Sequence, residues 1–197
     1  MKAGQRPATR RRRKIILWIL LGVFLVLGLW AFWIEPSRLI VRETTLEIPN
    51  WPQTANPLRI VALADLHVGS PYNGLDKLQT IVAKTNAAKP DLIVLLGDYV
   101  IHSVLGGSFV EPKAIAEKLK ALRAPLGVFA VLGNHDGWLG NARVANALRD
   151  AGIRVLDNDA TKLEHGEETV WLAGFGDFWT GNPNVESVLR KDRKSVV

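Results

Sequence analysis

The sequence of 197 residues contains no cysteine, which excludes disulfide bonds, thiolate metal sites and a cysteine nucleophile. Histidine is also scarce, with four residues in the chain. Any bound metal ion must therefore be held by histidine, aspartate, glutamate or asparagine side chains. Apolar residues are not scarce: 48% of the chain is hydrophobic and 22% is charged, which is typical of a folded protein and excludes disorder.

Positive charge is scarce outside the amino-terminal tail, although the net charge of the whole chain is +6. Residues 1–14 carry seven lysines and arginines and no acidic residue, whereas the other 183 residues hold 18 basic and 19 acidic residues. The basic charge therefore belongs to a tail and not to a folded surface. This distribution argues against nucleic acid as a partner of the body of the protein.

An uncharged run of twenty residues, Ile15 to Ile34, follows the basic tail. A helix of this length matches the hydrocarbon core of a bilayer, about 30 Å thick. The run is too long for a cleaved signal peptide and no cleavage site follows it, and the residues after Arg10 to Arg13 do not fit a twin-arginine export signal. We predict a transmembrane anchor at 15–34.

The positive-inside rule predicts that the tail, residues 1–14, is cytoplasmic and that everything after Ile34 is extracytoplasmic. In a bacterium this describes a single-pass protein of the inner membrane. The next segment, residues 35–57, contains four prolines around an alternating stretch from Leu39 to Ile48. This pattern predicts a juxtamembrane linker followed by an edge strand.

From residue 58 onward, short apolar runs alternate with amphipathic stretches, which predicts an α/β domain over 58–197. The apolar runs are nearly continuous, as expected for strands of a mainly parallel sheet that helices cover on both faces. The predicted strands are 58–64, 91–97, 127–133, 153–156 and 170–174. The predicted helices are 75–87, 112–122 and 141–151.

Polar residues close each of the first three predicted strands. The first is followed by Asp65 and His67, the second by Gly97-Asp98, and the third by Gly133-Asn134-His135-Asp136. Functional residues in open α/β sheets gather at the carboxyl ends of the strands, so these three segments should meet at one edge. Their oxygen and imidazole ligands suit Mn, Fe, Zn or Mg, and three converging loops suggest more than one ion.

An aspartate after a strand is more often a turn former or a helix N-cap than a ligand, and any one of these loops alone would favour that interpretation. The combination of Asp-x-His, Gly-Asp and Gly-Asn-His-Asp, each after a strand and in this order, is far less common by chance. Over about 58–176 the chain resembles the calcineurin-like metallophosphoesterases. The anchor and the contexts NPLRIVALADLHVG and VFAVLGNHDGW are most similar to small bacterial membrane-associated phosphoesterases, some of which cleave a lipid-linked pyrophosphate.

This resemblance implies a layered sandwich of helices packed on β-sheets and two divalent metal ions. Asp65 and His67 would bind the first ion, Asn134 the second, and Asp98 would bridge both. His135 would be catalytic and would protonate the leaving oxygen. Asp136 would hold the His135 ring and raise its pKa by charge proximity.

The sequence also departs from the family pattern, because a further histidine and a later Gly-His-x-His motif are absent. His102 is open to two interpretations, a group overhanging the cleft or a solvated loop residue, whereas His165 and Asp177 fit turns. The domain therefore looks truncated. The last six residues, 192–197, are similar to a translated sequencing adapter, and we hypothesise that they are not biological; a genomic stop codon directly after Val197 would contradict this.

Two functions of the domain remain open from the sequence, and a third option is nucleic-acid binding through the arginine-rich tail, which removal of residues 1–14 would abolish. The first is a membrane-anchored, metal-dependent phosphoesterase that hydrolyses a phosphomonoester, a phosphodiester or a lipid-linked pyrophosphate by two-metal water activation. The second is a catalytically incomplete, tethered α/β fragment that binds metal weakly or has a purely structural role. The phosphorylated substrate, small or lipid-linked, and the membrane are the expected partners of the first.

Overall fold

The computed structural model describes residues 7–48, residue 51 and residues 57–193. The chain divides into two compact units with the boundary between Val41 and Arg42, and each is described by itself. Residues 1–6 of the predicted basic tail, and residues 194–197 of the hypothetical adapter segment, lie outside the described residues.

The first unit is a long helix at the amino terminus. It consists of α1 (Pro7–Leu29), a π-helical turn (Trp30–Ile34) and α2 (Glu35–Ser37). The stretch Arg10–Ser37 is long and apolar enough to cross a membrane, judged by length and composition. It contains the whole of the predicted anchor, 15–34, whose side chains are nearly all exposed in the isolated chain, as expected for a segment that lies in lipid.

The edge strand predicted over Leu39 to Ile48 is wrong, because residues 38–48 form neither helix nor strand and are nearly all exposed. Alternating apolar and polar residues form a strand only where a neighbouring strand supplies hydrogen-bonding partners. No strand among the described residues pairs with this stretch. Periodicity alone therefore gave a false strand here.

The second unit is built on a parallel four-stranded sheet, which confirms the predicted α/β class. Its strands lie in the order β1-β2-β3-β4, and helices connect them. The strands are β1 (Ile60–Leu63), β2 (Leu92–Leu95), β3 (Val128–Ala130) and β4 (Arg154–Val155). The helices are α3 (Leu75–Ala87), α4 (Pro112–Leu119), α5 (Asn134–Leu139) and α6 (Asn141–Asp150).

The two faces of the sheet carry different layers. Alternate side chains of a strand point to opposite faces, so Ile93 and Leu95 pack in the main core with α3, α4 and α6. On the other face, Leu92 packs with Phe129 and Leu156 against the hairpin of β5 (Asp159–His165) and β6 (Glu168–Gly174). The layered α/β class is therefore confirmed, but the prediction that helices cover both faces of the sheet is wrong, since the β5–β6 hairpin covers the second face.

Burial of the strands differs from the prediction at β1. Strand β2 is buried almost throughout, but β1 alternates between exposed and half-buried residues, and Ile60 is 49% exposed. Among the described residues β1 pairs only with β2 and is the edge strand of the sheet. The last described element is the helix α7 (Val185–Arg193), which contacts β5 and β6.

Candidate metal centre

The chain segments that follow β1 and β2 run side by side beyond the end of the sheet. The backbone amide of Asp65 donates to the carbonyl oxygen of Gly97 (3.3 Å). The amides of His67 and Val68 donate to the backbone carbonyl oxygens of Asp98 (2.8 Å) and Tyr99 (2.9 Å). These bonds continue the parallel ladder past the regular strands. They bring the first two polar segments to one edge of the sheet.

The third segment joins them through the carboxylate of Asp98. Its Oδ1 accepts a hydrogen bond from the amide of His135 (2.9 Å), and its Oδ2 lies 3.9 Å from Nε2 of His67. The same Nε2 lies 3.6 Å from Oδ1 of Asp65. One ligand atom from each of His67, Asp98 and His135 lies within 4.8 Å of the other two, a spacing that can hold a metal ion.

Asn134 belongs to the same corner, since it begins α5 directly before His135. Of the six residues predicted for the site, four therefore have an atom in one cluster, and Asn134 adjoins it along the chain. Their individual roles as ligands or as a proton donor remain predictions. Asp136 also lies here, with a different function described below.

The backbone at this edge adopts the left-handed region. Asp65, His67 and Asp98 have φ angles of 52°, 38° and 57°. This conformation is uncommon for residues other than glycine, and it clusters at functional sites when the surrounding structure enforces it. Five other non-glycine residues in loops share a positive φ, so what sets these three apart is that they lie together at one edge of the sheet.

Two glycines allow the second and third segments to approach closely. A Cβ atom at Gly97, where φ is +93°, would collide with the backbone of Gly133. A Cβ atom at Gly133 would collide with the carboxylate of Asp98. The glycines that precede the aspartate and the asparagine therefore permit close packing of the two loops.

Hydrogen bonding selects the tautomer of His67. Its Nδ1 lies 3.4 Å from the carbonyl oxygen of Val100, which can only accept, so Nδ1 carries the hydrogen in this contact. Nε2 then carries a free lone pair and lies on the side of the ring that faces the carboxylates of Asp65 and Asp98. A backbone carbonyl that fixes the ring in this way is the usual support of a metal-binding histidine.

The carboxylate of Asp136 does not hold the ring of His135, so that prediction was wrong. Asp136 is completely buried and accepts three backbone hydrogen bonds: from Asp98 (2.8 Å), Tyr99 (3.0 Å) and Gly133 (2.9 Å). Both of its oxygens are thus used to fasten the second segment to the third. The sequence signal for this role was Gly-x-x-Asp at a helix start, in which the fourth residue caps the first.

The ring of His135 contacts the rings of His67 and Trp138 and does not bond to the carboxylate of Asp136. Its Nδ1 is buried without a hydrogen-bond partner. Burial and the neighbouring His67 lower its pKa, although Asp98 acts in the opposite direction. Asp136 itself has a raised pKa because it is buried. The prediction that Asp136 raises the pKa of His135 is therefore wrong, because the pKa of His135 is lowered.

The structure brings two further side chains to His135. The Nε2–H of His102 donates to its carbonyl oxygen (2.8 Å), and the ring centroids of the two histidines are 5.8 Å apart. The ring of Trp138 lies 4.7 Å from that of His135, between centroids. His102 is therefore at the site and not merely solvated, and Trp138 is a neighbour that the sequence analysis did not single out.

His165 and Asp177 serve local structure. His165 ends β5 opposite Glu168 at the turn of the hairpin. Asp177 accepts hydrogen bonds from the amides of Trp179 and Thr180, which makes it a turn residue. Both positions agree with the turn interpretation from the sequence.

The residues at this corner fit a divalent cation. The donors are a carboxylate and two imidazoles, with a second carboxylate at Asp65, and all are hard or borderline ligands. The orphaned Nδ1 of His135 and the correctly supported Nε2 of His67 are both explained if the corner binds a cation. No thiolate is needed, in agreement with the absence of cysteine.

Comparison with known proteins gives a match to the family model for the calcineurin-like phosphoesterases over residues 58–190. The chain is 30% identical over 176 residues to a transmembrane protein with metallophosphoesterase domain from Danio rerio, covering 84% of this chain and 37% of that protein. It is 36% identical over 130 residues to the phosphodiesterase YaeI of Escherichia coli, covering 64% and 46%.

A third relative is the UDP-2,3-diacylglucosamine pyrophosphatase LpxG of Chlamydia trachomatis. The identity is 34% over 108 residues, which cover 54% of this chain and 31% of that protein. The chain thus spans less than half of the length of each of these three relatives. The family match itself extends over about two thirds of the chain and includes all three polar segments.

Proposed function

This chain belongs to the calcineurin-like phosphoesterase family, and from that premise we propose that it is a membrane-anchored, metal-dependent phosphoesterase that uses the corner at Asp98 as its active site. The proposed substrates are a phosphomonoester, a phosphodiester or a lipid-linked pyrophosphate. Two relatives support the finer choices, since YaeI is named a phosphodiesterase and LpxG a pyrophosphatase that acts on a diacylated sugar nucleotide.

The observation that carries this proposal is the convergence of His67, Asp98 and His135, whose ligand atoms lie within 4.8 Å of one another. These residues come from three segments that are far apart in the sequence. Neither a turn nor a helix cap requires two imidazoles and a carboxylate at one point. A metal centre with a proton carrier beside it explains all three residue types together.

We propose that Asp65, His67, Asp98 and Asn134 hold two divalent ions, with Asp98 shared between them. When bound, such ions neutralise the charge of a phosphoryl group and make a water molecule acidic enough to act as a nucleophile. The chain supports this arrangement by orienting His67 through Val100 and by fixing Asp98 through the amide of His135.

His135 is proposed to exchange a proton with an oxygen of the bound phosphoryl group through a ring nitrogen. Its pKa is lowered in the chain by burial and by His67, which favours the neutral imidazole. The negative charge of a bound phosphoryl group would raise that pKa and allow the ring to take up a proton. His102 holds the carbonyl of His135 and thereby limits movement of its backbone.

The location proposed for the protein follows from the amino-terminal helix. Its length and apolar composition suit one membrane crossing, and the zebrafish relative is named a transmembrane protein. We propose that residues 15–34 cross the inner membrane of a bacterium, with the basic tail in the cytoplasm and the phosphoesterase domain outside it. Proteolysis of right-side-out and inverted vesicles would distinguish this topology from its reverse.

The decisive experiment measures metal binding and hydrolysis on the same preparation of the full chain. Metal content is determined by mass spectrometry after loading with manganese, and hydrolysis is followed with bis(p-nitrophenyl) phosphate. Stoichiometric manganese together with turnover that a chelator abolishes would support the proposal. A folded chain that binds manganese at neither position, and hydrolyses nothing, would contradict it.

Replacing Asp98 by asparagine should reduce metal affinity and hydrolysis together. The substitution removes the negative charge that both ions share, and loss of even an indirect supporter of a metal ligand typically costs about 10–100-fold in affinity. Isothermal titration with manganese measures this loss. The matched control is Asp150→Asn at an exposed position at the end of α6.

Equal manganese affinity in the Asp98→Asn and Asp150→Asn variants would refute a bridging role for Asp98. Asparagine also tolerates a positive φ angle well, so a change at residue 98, where φ is 57°, need not disturb the backbone. The comparison therefore tests charge and not conformation.

A second candidate function is a tethered fragment that binds one ion weakly and has no turnover. The small donor set favours it, because among the described residues one group of three ligands is found. The experiment above separates the two candidates. One ion of low affinity without hydrolysis would favour the fragment, and two ions with hydrolysis would favour the enzyme.

A further inference from the structure

Three large aromatic side chains project into solvent near the candidate metal centre. The exposed fractions are 59% for Trp138, 83% for Phe178 and 74% for Trp179. We call this group of three side chains the aromatic rim. Exposure of neighbouring large apolar side chains is unfavourable in water and marks an interaction surface.

The turn that carries two of these residues is held firmly. Oδ1 of Asp177 accepts hydrogen bonds from the amide of Trp179 (2.9 Å) and from the amide (2.8 Å) and the hydroxyl (2.9 Å) of Thr180. The amide of Gly181 donates to the carbonyl of Asp177 (2.8 Å) and closes the turn. Phe178 and Trp179 are therefore presented by an ordered turn and not by a loose loop.

The same turn is fastened beside the site. Thr180 packs so closely on Gly137 that a Cβ atom there would collide with its side chain. The side-chain amide of Asn141 donates to the carbonyl oxygen of Thr180 (3.0 Å). Gly137 immediately precedes Trp138, whose ring contacts that of His135. The turn that carries Phe178 and Trp179 therefore lies next to the metal centre.

The shape of the aromatic rim favours a deformable partner. Two consecutive aromatic side chains at the tip of a turn form a projection and not a cavity, so they cannot enclose a small molecule. Phenylalanine and tryptophan at such a position partition well into the headgroup region of a bilayer.

The candidate membrane helix of the same chain would anchor the protein to a bilayer. The candidate membrane helix ends at Ser37 and the sheet begins at Ile60, so 22 residues join them. Fully extended, such a segment reaches roughly 70–80 Å. A domain of this size measures roughly 35–40 Å across, so a segment of 22 residues is long enough for the domain to contact the bilayer that holds the anchor.

We infer that the aromatic rim is a lipid-binding surface, through which the domain inserts Phe178 and Trp179 into the bilayer that holds its anchor. This contact would direct the border of the metal centre toward the membrane surface. The inference depends on the anchor and on the exposed aromatic side chains. It does not depend on the proposed reaction.

The test uses the absence of cysteine, which allows a single engineered thiol to be labelled uniquely. The full chain with Phe178→Cys is labelled with an environment-sensitive nitrobenzoxadiazole and reconstituted into nanodiscs of phosphatidylcholine and phosphatidylglycerol. Emission is compared between discs with and without nitroxide-labelled lipids. We expect a blue shift of the label at 178 and loss of most of its emission to the nitroxide.

The matched control is Glu117→Cys on α4, an exposed position whose side chain is 70% accessible. Its label should show neither the shift nor the quenching. Adding Trp179→Ser to the Phe178→Cys chain should reduce the quenching, and circular dichroism of each variant verifies the fold.

Two results would overturn the inference. Equal quenching at 178 and 117 would mean that the aromatic rim stays in water. A blue shift without nitroxide quenching would mean that protein covers it instead. Either result can occur with an active enzyme, so this test is separate from that of the proposed function.

Discussion

Replacing Asp136 by alanine is expected to lower the free energy of unfolding by about 3 kcal/mol, because one buried and two half-buried amides lose their acceptor and a buried unsatisfied donor costs about 1–3 kcal/mol. Those amides belong to Asp98, Tyr99 and Gly133. A loss of this size is a large part of the roughly 5–15 kcal/mol that stabilises a typical domain. Urea unfolding followed by circular dichroism measures it.

The control for this substitution is Asp150→Ala, which removes an exposed carboxylate of the same type. Asp136→Asn should lie between the two, since the amide keeps one acceptor oxygen but places an NH₂ group where a donor is already present. If Asp136→Ala and Asp150→Ala unfold at the same urea concentration, the three hydrogen bonds do not hold the loops together.

Replacing His135 by alanine is expected to reduce turnover by about 10²–10⁴-fold, the usual contribution of a positioned proton donor or acceptor. Metal content should change much less, because in the proposed arrangement Asp65, His67, Asp98 and Asn134 hold the ions. Hydrolysis of bis(p-nitrophenyl) phosphate and metal analysis of the same sample give the two quantities. Their ratio distinguishes proton transfer from metal binding.

His165→Ala provides the control, since His165 lies at the turn of the hairpin. It should keep both metal content and turnover. If the His135→Ala variant loses metal in proportion to its activity, then His135 is a ligand, as its place in the group with His67 and Asp98 would also allow. The proposed role as a proton carrier would then be abandoned.

Much of the second unit was predictable because its elements have strong periodicity. The helix predicted at 75–87 is α3, and the first three strands lie within the predicted runs. The short helix α5 was not predicted, since its six residues contain a glycine and begin inside a motif that was interpreted as a loop. Strand β5 was missed as well, because five of its seven residues are charged or polar and it is recognisable only through its pairing with β6.

The meeting of the three polar segments was predictable from topology. Parallel strands place their carboxyl ends at one edge, so residues that follow β1, β2 and β3 must be neighbours. The direction of a single side chain was not predictable. A carboxylate next to a histidine can bind either the ring or nearby amides, and at Asp136 the buried amides prevailed because they had no other acceptor.

The positive φ angles at Asp65, His67 and Asp98 also restrict which amino acids these positions tolerate. Apart from glycine, the left-handed region admits asparagine, aspartate and histidine several times more readily than other residues. The backbone conformation therefore restricts the amino acids that substitution can introduce at these three positions. Most of the amino acids that it admits can still coordinate a cation. Homologues that have lost the phosphoesterase activity would therefore retain metal-coordinating residue types at these positions for a long time.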